Sequence, residues 1–152
     1  MSWPIAKLGD HIHVLSGFAF NSKEFSDSEG VPLIRIRDVV RGFTETYYNG
    51  EFDHKYLIKK GDLLVGMDGQ FNAERWRSGK ALLNQRVCKI ESLEKLDERY
   101  LSHLLPNKLK EIEDKTAFVT VKHLSVKKIK EIEFPLPPLN EQERIAAILD
   151  KA

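Results

Sequence analysis

Apolar residues in the first half of the chain fall in short runs that predict β-strands. The segment VPLIRIR (31–37) alternates apolar and polar residues, and GDLLVGM (61–67) places an apolar run directly after a Gly-Asp turn. A third segment, ALLNQRVCKI (81–90), is long and apolar, and we interpret it as one strand. Unusually long connections, residues 16–30, 37–55 and 68–80, join or flank these predicted strands. Long connections in a compact domain are more often functional than idle.

The apolar pattern changes to helical spacing near Asp97. Residues 97–114 place apolar side chains three and four positions apart, which predicts a helix that Pro106 should kink or end. This stripe, which we assign to the core, consists of Tyr100, Leu101, Leu104, Leu105, Leu109 and Ile112. Residues 123–130 predict a short helix, and residues 130–137 predict a last strand. This order of elements, mostly strands followed by helices and one last strand, predicts an α+β fold. We expect a curved mixed or antiparallel sheet with long loops on one side.

The closing segment PLPPLNEQERIAAILD (135–150) predicts a proline-stiffened strand end that leads directly into a helix. Asn140 is a favourable N-cap, and Glu143 can reach back to the backbone N–H of the cap in a capping box. We therefore expect this helix to begin at Glu141.

Ile145, Ile148 and Leu149 lie on one face of the closing helix at spacings of three and four. Such a face must be covered, and two interpretations stay open at this point. The helix either folds back on its own domain, or the chain is cut at Ala152 and the apolar face continues toward a partner helix. The second is attractive because a lone helix this short is marginal in water.

Composition predicts a single soluble globular domain. Of 152 residues, 31% are charged and 41% are hydrophobic, and the longest apolar runs are only a few residues. The first ten residues lack the apolar core of a signal peptide, so we expect neither a membrane protein nor an exported one. Cys88 is the only cysteine, which excludes an internal disulfide and fits a reducing cytoplasm. We interpret it as a structural thiol on a buried strand.

Charge is distributed unevenly although the net charge is only +1. Between His54 and Lys89 there are eight basic and three acidic residues, so this segment carries +5 and the remainder carries −4. A second stretch, residues 119–130, contains four lysines and no acidic residue. Two basic segments on a near-neutral chain suit a localised surface for a polyanion, and a solvated face is the alternative explanation.

Motifs for catalysis or cofactor binding are weak. The segment GMDG (66–69) lacks the third glycine of a dinucleotide fingerprint, and no Walker lysine follows a glycine loop. His11 and His13 have no accompanying Cys pair or HExxH motif, so we expect no metal site. Asp38, followed by Asp53 and Lys55, loosely imitates the carboxylates and lysine of metal-dependent nucleases. This match is poor because nearly a third of the residues are charged.

Several segments in their order resemble one family along almost the whole chain. They are WPIAKLGD (3–10), SGFAFNSKEF (16–25), VPLIRIRDV (31–39), GDLLVGMDG (61–69), VKHLS with IKEIEFPLPP (121–138), and the closing PLPPLNEQERIAAILD. The chain resembles a target recognition domain from the specificity subunits of type I restriction-modification enzymes. In that family two such domains are separated by helical conserved regions that form an antiparallel coiled coil.

The resemblance implies both an organisation and a function. Residues 1–138 would be the recognition domain, and residues 139–152 would begin the conserved helix, with Ile145, Ile148 and Leu149 in the coiled-coil seam. The domain would recognise one half of a bipartite site on double-stranded DNA. Methyltransferase subunits would dock on the specificity subunit, and the restriction subunit would join through the complex. The second recognition domain would come from the full-length chain or from a second half-length chain.

The resemblance also implies that the chain is not itself an enzyme. Methyltransferases of this system carry an Asn- or Asp-Pro-Pro-aromatic motif and a glycine-rich cofactor motif, and PLPPL is not the former. Adenine methylation and cleavage would be left to partners, so we expect no catalytic residue and no cofactor. Two alternatives are a protein-interaction module that acts through the terminal helix, and a metal-dependent nuclease.

Base-edge chemistry selects the candidate DNA contacts. Arg and Lys pair with guanine, Asn and Gln bridge adenine, and Asp accepts from cytosine. Residues 68–80 combine these types, so we predict base contacts by Asp68, Gln70, Asn72 and Arg75, and phosphate contacts by Arg77 and Lys80. Trp76 either wedges against DNA or packs the loop onto the body, and we expect packing. Further candidates on strand edges and loops are Arg35, Arg37, Lys122 and His123. A shared solvated strand face, or an ion pair with Asp38, also explains Arg35 and Arg37.

Overall fold

The structure of the protein is a computed structural model that describes residues 3–115 and 123–152. Its strands are β1 (Ile5–Lys7), β2 (Ile12–Ser16), β3 (Phe25–Ser26), β4 (Val31–Ile34), β5 (Tyr47–Tyr48), β6 (Leu57–Ile58), β7 (Leu63–Gly66), β8 (Asn72–Arg75), β9 (Ala81–Leu83), β10 (Val87–Ser92) and β11 (Glu133–Pro135). Its α-helices are α1 (Asp38–Arg41), α2 (Glu98–Lys115), α3 (Val126–Lys130) and α4 (Leu139–Asp150). No helix within the described ranges is long and apolar enough to cross a membrane.

The strands are divided among three sheets. β1 and β11 form an antiparallel pair that joins the beginning of the chain to the strand before α4. β2, β10, β7 and β8 form an antiparallel sheet in that order, which we call the four-stranded sheet. β3, β5, β4, β9 and β6 form a five-stranded sheet in which β4 and β9 run parallel. The predicted α+β fold with mixed and antiparallel pairing is confirmed.

The four-stranded sheet is buried on both faces. Along β7, Leu63 and Val65 pack in the cluster that contains α2 and α3, whereas Leu64 packs in the cluster that faces the five-stranded sheet. Successive side chains of a strand point to opposite faces, so both clusters take residues from β7. All four residues of β7 are buried, which explains why this strand has a continuous apolar sequence instead of an alternating one.

Residues 81–90, predicted as one strand, form two strands in different sheets. β9 ends at Leu83, and the chain turns before β10 begins at Val87. Gly17 lies against this turn, where its N–H donates to Val87 O at 2.9 Å. A Cβ on Gly17 would lie 1.8 Å from Asn84 O, so only glycine fits. Periodicity missed the break because the residues on both sides of it are apolar and buried.

Helix α2 does not end at Pro106. It begins after Asp97, whose Oδ1 accepts from Tyr100 N at 3.0 Å as an N-cap, and it continues to Lys115. A proline cannot donate to the carbonyl four residues earlier, here that of Ser102. Pro106 is exposed, so water can reach this face of the helix. The apolar stripe of α2 packs in the core as predicted.

Helix α4 begins at Leu139, two residues before the predicted start. Pro138 is the N-cap, and its carbonyl accepts from Glu141 N at 2.9 Å and from Gln142 N at 3.0 Å. Asn140 therefore lies inside the first turn, and the prediction that it caps the helix is wrong. A proline fits the cap because its missing N–H is not needed at the start of a helix.

A buried glutamine joins the start of α4 to the body. The Gln142 side chain is 0% exposed. Its Nε2 donates to Lys95 O at 2.9 Å and to Pro137 O at 2.8 Å, while its Oε1 accepts from Asp97 N at 2.7 Å. Because Lys95 and Asp97 immediately precede α2, this one side chain fixes α4 against the start of α2.

The last turn of α4 is held by an ion cluster on α2. Asp150 Oδ1 lies 2.6 Å from His103 Nε2, and Arg99 donates to the other carboxylate oxygen. The hydrogen bonds from His103 and then Arg99 lower the pKa of Asp150. Ile145 packs against the core, whereas Ile148 and Leu149 are 56% and 42% exposed. The predicted apolar face is therefore divided between the body and the surface.

Candidate nucleic-acid interface

One end of the four-stranded sheet collects many of the predicted contact residues. Gly66, the last residue of β7, pairs with Asn72 at the start of β8 and with Val87 at the start of β10. The connection from β7 to β8 and the turn before β10 consequently lie side by side. We call this region the β7 end, defined by residues 67–72 together with Arg86 and His123.

Asp68 is the centre of an ionic cluster at the β7 end. Its Oδ1 accepts from Arg86 Nε at 2.9 Å and lies 2.6 Å from His123 Nδ1. The hydrogen bond from Arg86, followed by that from His123, lowers the pKa of Asp68. Asp68 and His123 also form an isolated antiparallel bridge. Two predicted DNA contacts thus touch each other, although 55 residues separate them in the sequence.

Gln70 and Asn72 complete the connection to β8. Gln70 is exposed and follows Gly69, whose φ of +67° turns the backbone into the left-handed region. Asn72 Nδ2 donates to Gln70 O at 3.0 Å, so the amide of Asn72 supports the loop. Phe71 N donates to Glu113 Oε1 at 2.7 Å and ties the same loop to α2. Gln70 therefore presents its amide to solvent from a loop with a defined shape.

Arg35 and Arg37 lie in a turn and not on a strand, so the predicted shared strand face is wrong. β4 ends at Ile34, and the buried carboxylate of Asp38 accepts from Arg35 N at 2.8 Å, which closes the turn before α1. Both arginines are exposed, and Arg37 Nε lies 3.9 Å from Asp38 Oδ1. This confirms the ion pair considered as an alternative for Arg37.

The turn formed by residues 35–38, which we call the arginine turn, lies near the β7 end. A Cβ on Gly66 would lie 3.4 Å from Ile36 Cγ1 and 3.4 Å from Asn72 Oδ1. Ile36 stands between the two arginines in sequence, so its packing beside Gly66 brings their turn to the same end of the sheet. Arg35 and Arg37 add positive charge there.

The remaining predicted residues of the loop lie elsewhere. Arg75 is at the opposite end of β8, where its Nη1 donates to Gly61 O and its Nη2 to Glu98 O, each at 3.1 Å. Arg77 Nη2 donates to Val40 O and Arg41 O at the end of α1, at 2.9 and 2.6 Å. Both guanidinium groups are occupied by backbone carbonyls.

Trp76 and Lys80 have contrasting environments. Trp76 is 1% exposed and donates from Nε1 to Gly79 O at 2.8 Å, which confirms its predicted packing role. Lys80 is exposed just before β9. The predicted contact Lys122 lies outside the described residues.

Three further basic or aromatic residues were not selected from the sequence as DNA contacts: Arg41, Phe43 and Arg86. Arg86 was counted only as part of the basic segment, and no local pattern marks it. Arg41 lies over the ring of Phe43, with Cζ 4.3 Å from its centroid, and Phe43 is 46% exposed. Arg41 Nη2 is also 3.7 Å from Asp38 Oδ1. The signal for Arg41 and Phe43 was present in RDVVRGF (37–43), which combines two arginines with an aromatic residue in a long connection.

The nuclease-like residues have local structural roles. Asp38 is 1% exposed and holds the arginine turn, while Asp53 Oδ1 accepts from Lys55 N at 2.9 Å and caps the 3-10 helix His54–Tyr56. Within the part of the chain that the structure describes, no three His, Cys, Asp or Glu side chains converge on one point.

Comparison with known proteins decides the family. Residues 2–152 match the family model described as the type I restriction modification DNA specificity domain. The chain belongs to this family. This specificity domain is 50% identical over 151 residues to the type I restriction enzyme EcoBI specificity subunit of Escherichia coli, an alignment that covers 98% of the chain and 32% of the relative. It is 26% identical over 148 residues to the MjaVIII specificity subunit of Methanocaldococcus jannaschii, covering 97% and 35%.

Solved structures show the same fold at low sequence identity. The HsdS subunit from Thermoanaerobacter tengcongensis matches with a TM-score of 0.71 and 18% identity, over 99% of this specificity domain and 37% of that chain. The type I S subunit from M. genitalium matches with a TM-score of 0.64 and 16% identity, over 99% and 38%. The chain spans about a third of the length of the curated relatives it matches.

Proposed function

We propose that this specificity domain recognises one half of a bipartite site on double-stranded DNA within a type I restriction-modification complex. Its role is to position DNA, and partner subunits carry out adenine methylation or cleavage. The observation that carries the proposal is the clustering of Arg35, Arg37, Gln70 and His123 at one end of the four-stranded sheet, in a chain of this family. Such a protein would act where the cell's DNA lies, in the cytoplasm.

The predicted contacts take different roles in this proposal. Gln70 is exposed and carries the amide that can bridge adenine N6 and N7, so it is our first candidate for a base contact. Arg35 and Arg37 contact phosphates or guanine at the β7 end. Lys80 precedes β9, which runs parallel to β4, so it contacts phosphates of DNA that extends beyond the β7 end. Arg77 supports α1. Base contact by Arg75 would require it to leave two backbone carbonyls, so we rank it below Gln70.

Helix α4 is proposed to connect the domain to the rest of the complex. Ile148 and Leu149 expose apolar surface on its last turns, while Ile145 and Gln142 hold it on the body. The exposed pair would extend into a coiled-coil seam with a second conserved helix, on which methyltransferase subunits dock. The restriction subunit and a second recognition domain, from the same chain or another copy, would complete the assembly.

Selection from a randomised DNA library tests the proposal. The full-length specificity subunit that contains this domain, assembled with its methyltransferase subunits, should select one bipartite sequence. Gln70→Ala should relax one base pair of one half-site, at a cost of about 1–3 kcal/mol if the contact is bidentate. Lys80→Ala should weaken binding to every sequence and reduce the salt dependence.

Lys95→Ala is the matched control for Lys80→Ala. Lys95 is exposed and lies between β10 and α2, outside both basic segments and the predicted DNA contacts, so its removal should change neither selection nor salt dependence. If the parent complex selects no sequence, the proposed function is wrong. If it selects one that Gln70→Ala leaves unchanged, the β7 end does not contact the bases through Gln70. If Lys80→Ala leaves affinity and salt dependence unchanged, DNA does not reach the start of β9.

A further inference from the structure

Arg86 adopts a backbone conformation that arginine normally avoids. Its φ of +66° lies in the left-handed region, which glycine and asparagine adopt more readily. The residue lies in the turn between β9 and β10, where a glycine would remove this cost. Contacts with the surrounding structure hold this conformation, among them the backbone hydrogen bond from Met67 N to Arg86 O at 2.9 Å.

The Arg86 guanidinium donates to three acceptors in two segments of the chain. Nη2 donates to Met67 O at 3.0 Å and to Leu124 O at 3.1 Å, and Nε donates to Asp68 Oδ1. These bonds join the end of β7 to the segment that follows residue 122. A planar guanidinium can satisfy this set of acceptors, whereas a lysine ammonium has no comparable fixed geometry.

His123 is the exposed member of the cluster. Its side chain is 61% exposed, and its Nδ1 faces Asp68 Oδ1 at 2.6 Å. A carboxylate beside Nδ1 favours the tautomer with the proton on that nitrogen. In the neutral ring of His123, Nε2 is then a hydrogen-bond acceptor. Arg86 offsets the negative charge of Asp68, which would otherwise repel the phosphates of bound DNA.

We propose that Arg86 and Asp68 are positioning residues for His123, which accepts a hydrogen bond at Nε2 from the exocyclic amino group of cytosine or adenine in the major groove. This inference rests on the proposed function and replaces direct base contact by Asp68. It explains why the carboxylate, predicted from the sequence as a base contact, is occupied by two side chains of the domain itself.

A double-mutant cycle tests the proposal in the assembled complex. His123→Ala, Asp68→Asn and the double variant are compared with the parent for binding to the selected site and to sites changed at each base pair. Both single variants should lose discrimination at the same base pair, by about 10-fold. The double variant should be no worse than His123→Ala because Asp68 acts only through the histidine.

Two matched variants separate positioning from stability. Asp62→Asn makes the same change in another ion-paired aspartate, whose Oδ1 lies 3.1 Å from Lys59 Nζ, and should leave base preference unchanged. Arg86→Gly relieves the backbone but removes the ties, and should relax the same base pair as His123→Ala. Urea midpoints of all variants are recorded, and His123→Ala, at an exposed position, should keep that of the parent.

The outcomes distinguish this inference from the proposed function. A parent that selects no sequence overturns the proposed function, and the inference with it. A selective parent overturns only the inference if His123→Ala leaves its preference intact, if Asp68→Asn relaxes a different base pair, or if the two losses are additive.

Discussion

Replacing Gln142 with leucine should detach the start of α4 from the body. Leucine has a similar size but no polar atoms, so the N–H of Asp97 and the carbonyls of Lys95 and Pro137 lose their partners. The bond to Pro137 is buried, and leaving that carbonyl unsatisfied costs about 2 kcal/mol. Water can reach the other two groups, which lose about 0.5–1 kcal/mol each.

We therefore expect Gln142→Leu to lower the free energy of unfolding by about 3 kcal/mol. That is a large part of the about 5–15 kcal/mol typical of a domain, and it corresponds to a melting temperature lower by about 10 °C for a chain of this size. Urea unfolding, followed by tryptophan fluorescence, to which Trp3 and buried Trp76 contribute, and by circular dichroism, measures the difference.

Glu143→Leu is the matched control because it introduces the same side chain at the next, exposed position of α4. Its effect should stay within about 0.5 kcal/mol. If Gln142→Leu is as stable as Glu143→Leu, the three hydrogen bonds do not hold α4 and our reasoning is refuted.

Gln142→Glu adds a dependence on pH. The new carboxylate would face the carbonyl oxygens of Lys95 and Pro137, so burial and these acceptors should raise its folded pKa. The unfolded chain binds fewer protons above about pH 4.3, where a free glutamate ionises. The variant should therefore lose stability relative to the parent as pH rises above that value. If the free energy of unfolding of Gln142→Glu differs from that of the parent by the same amount at about pH 4 and pH 7, this prediction is contradicted.

Three other predictions concern single side chains. Asp150→Asn should destabilise the chain at neutral pH, and because its folded pKa is lowered, this difference should vanish as acid protonates Asp150 in the parent; urea midpoints across pH measure it. Cys88 is 0% exposed and burial raises the pKa of its thiol to about 12, so native alkylation at neutral pH should be much slower than in urea, where the thiol is accessible and ionises more readily. Trp76→Phe should cost about 2 kcal/mol, since it removes volume and the Nε1 hydrogen bond, as thermal melting would show.

The sequence predicted elements whose pattern reflects local burial. β7 is recognisable because an apolar run after a Gly-Asp turn remains apolar when both faces are buried. The stripe from Tyr100 to Leu109 lies in the core because helical spacing places it on one face. The order of these elements, strands followed by helices and one last strand, then indicated the right fold class.

The candidate site was harder to predict because neighbours in sequence are not neighbours in space. Residues 68–80 were treated as one recognition loop, yet β8 separates Asn72 from Arg75 by about 10 Å, at opposite ends of the strand. Arg75 and Arg77 looked available in the sequence, and the structure places backbone carbonyls against both. Composition alone cannot show which donors are already satisfied.

Contacts across the sheet were the least accessible to sequence reasoning. Arg86 and Asp68 are 18 residues apart, and they meet because the starts of β8 and β10 both adjoin the end of β7. Arg35 and Arg37 were expected on a strand, but the buried Asp38 carboxylate closes a turn there. The alternation of apolar and polar residues in 31–37 could not reveal that hydrogen bond.

The most direct test of the central claim is methylation mapping after a domain exchange. DNA from cells that express the full-length subunit with its methyltransferase subunits is sequenced by a long-read method that detects modified adenine. The experiment is repeated with this domain replaced by a homologous one. We predict a bipartite motif in which one half changes with the exchange and the other half is retained. An unchanged motif would contradict the claim that this domain recognises DNA sequence.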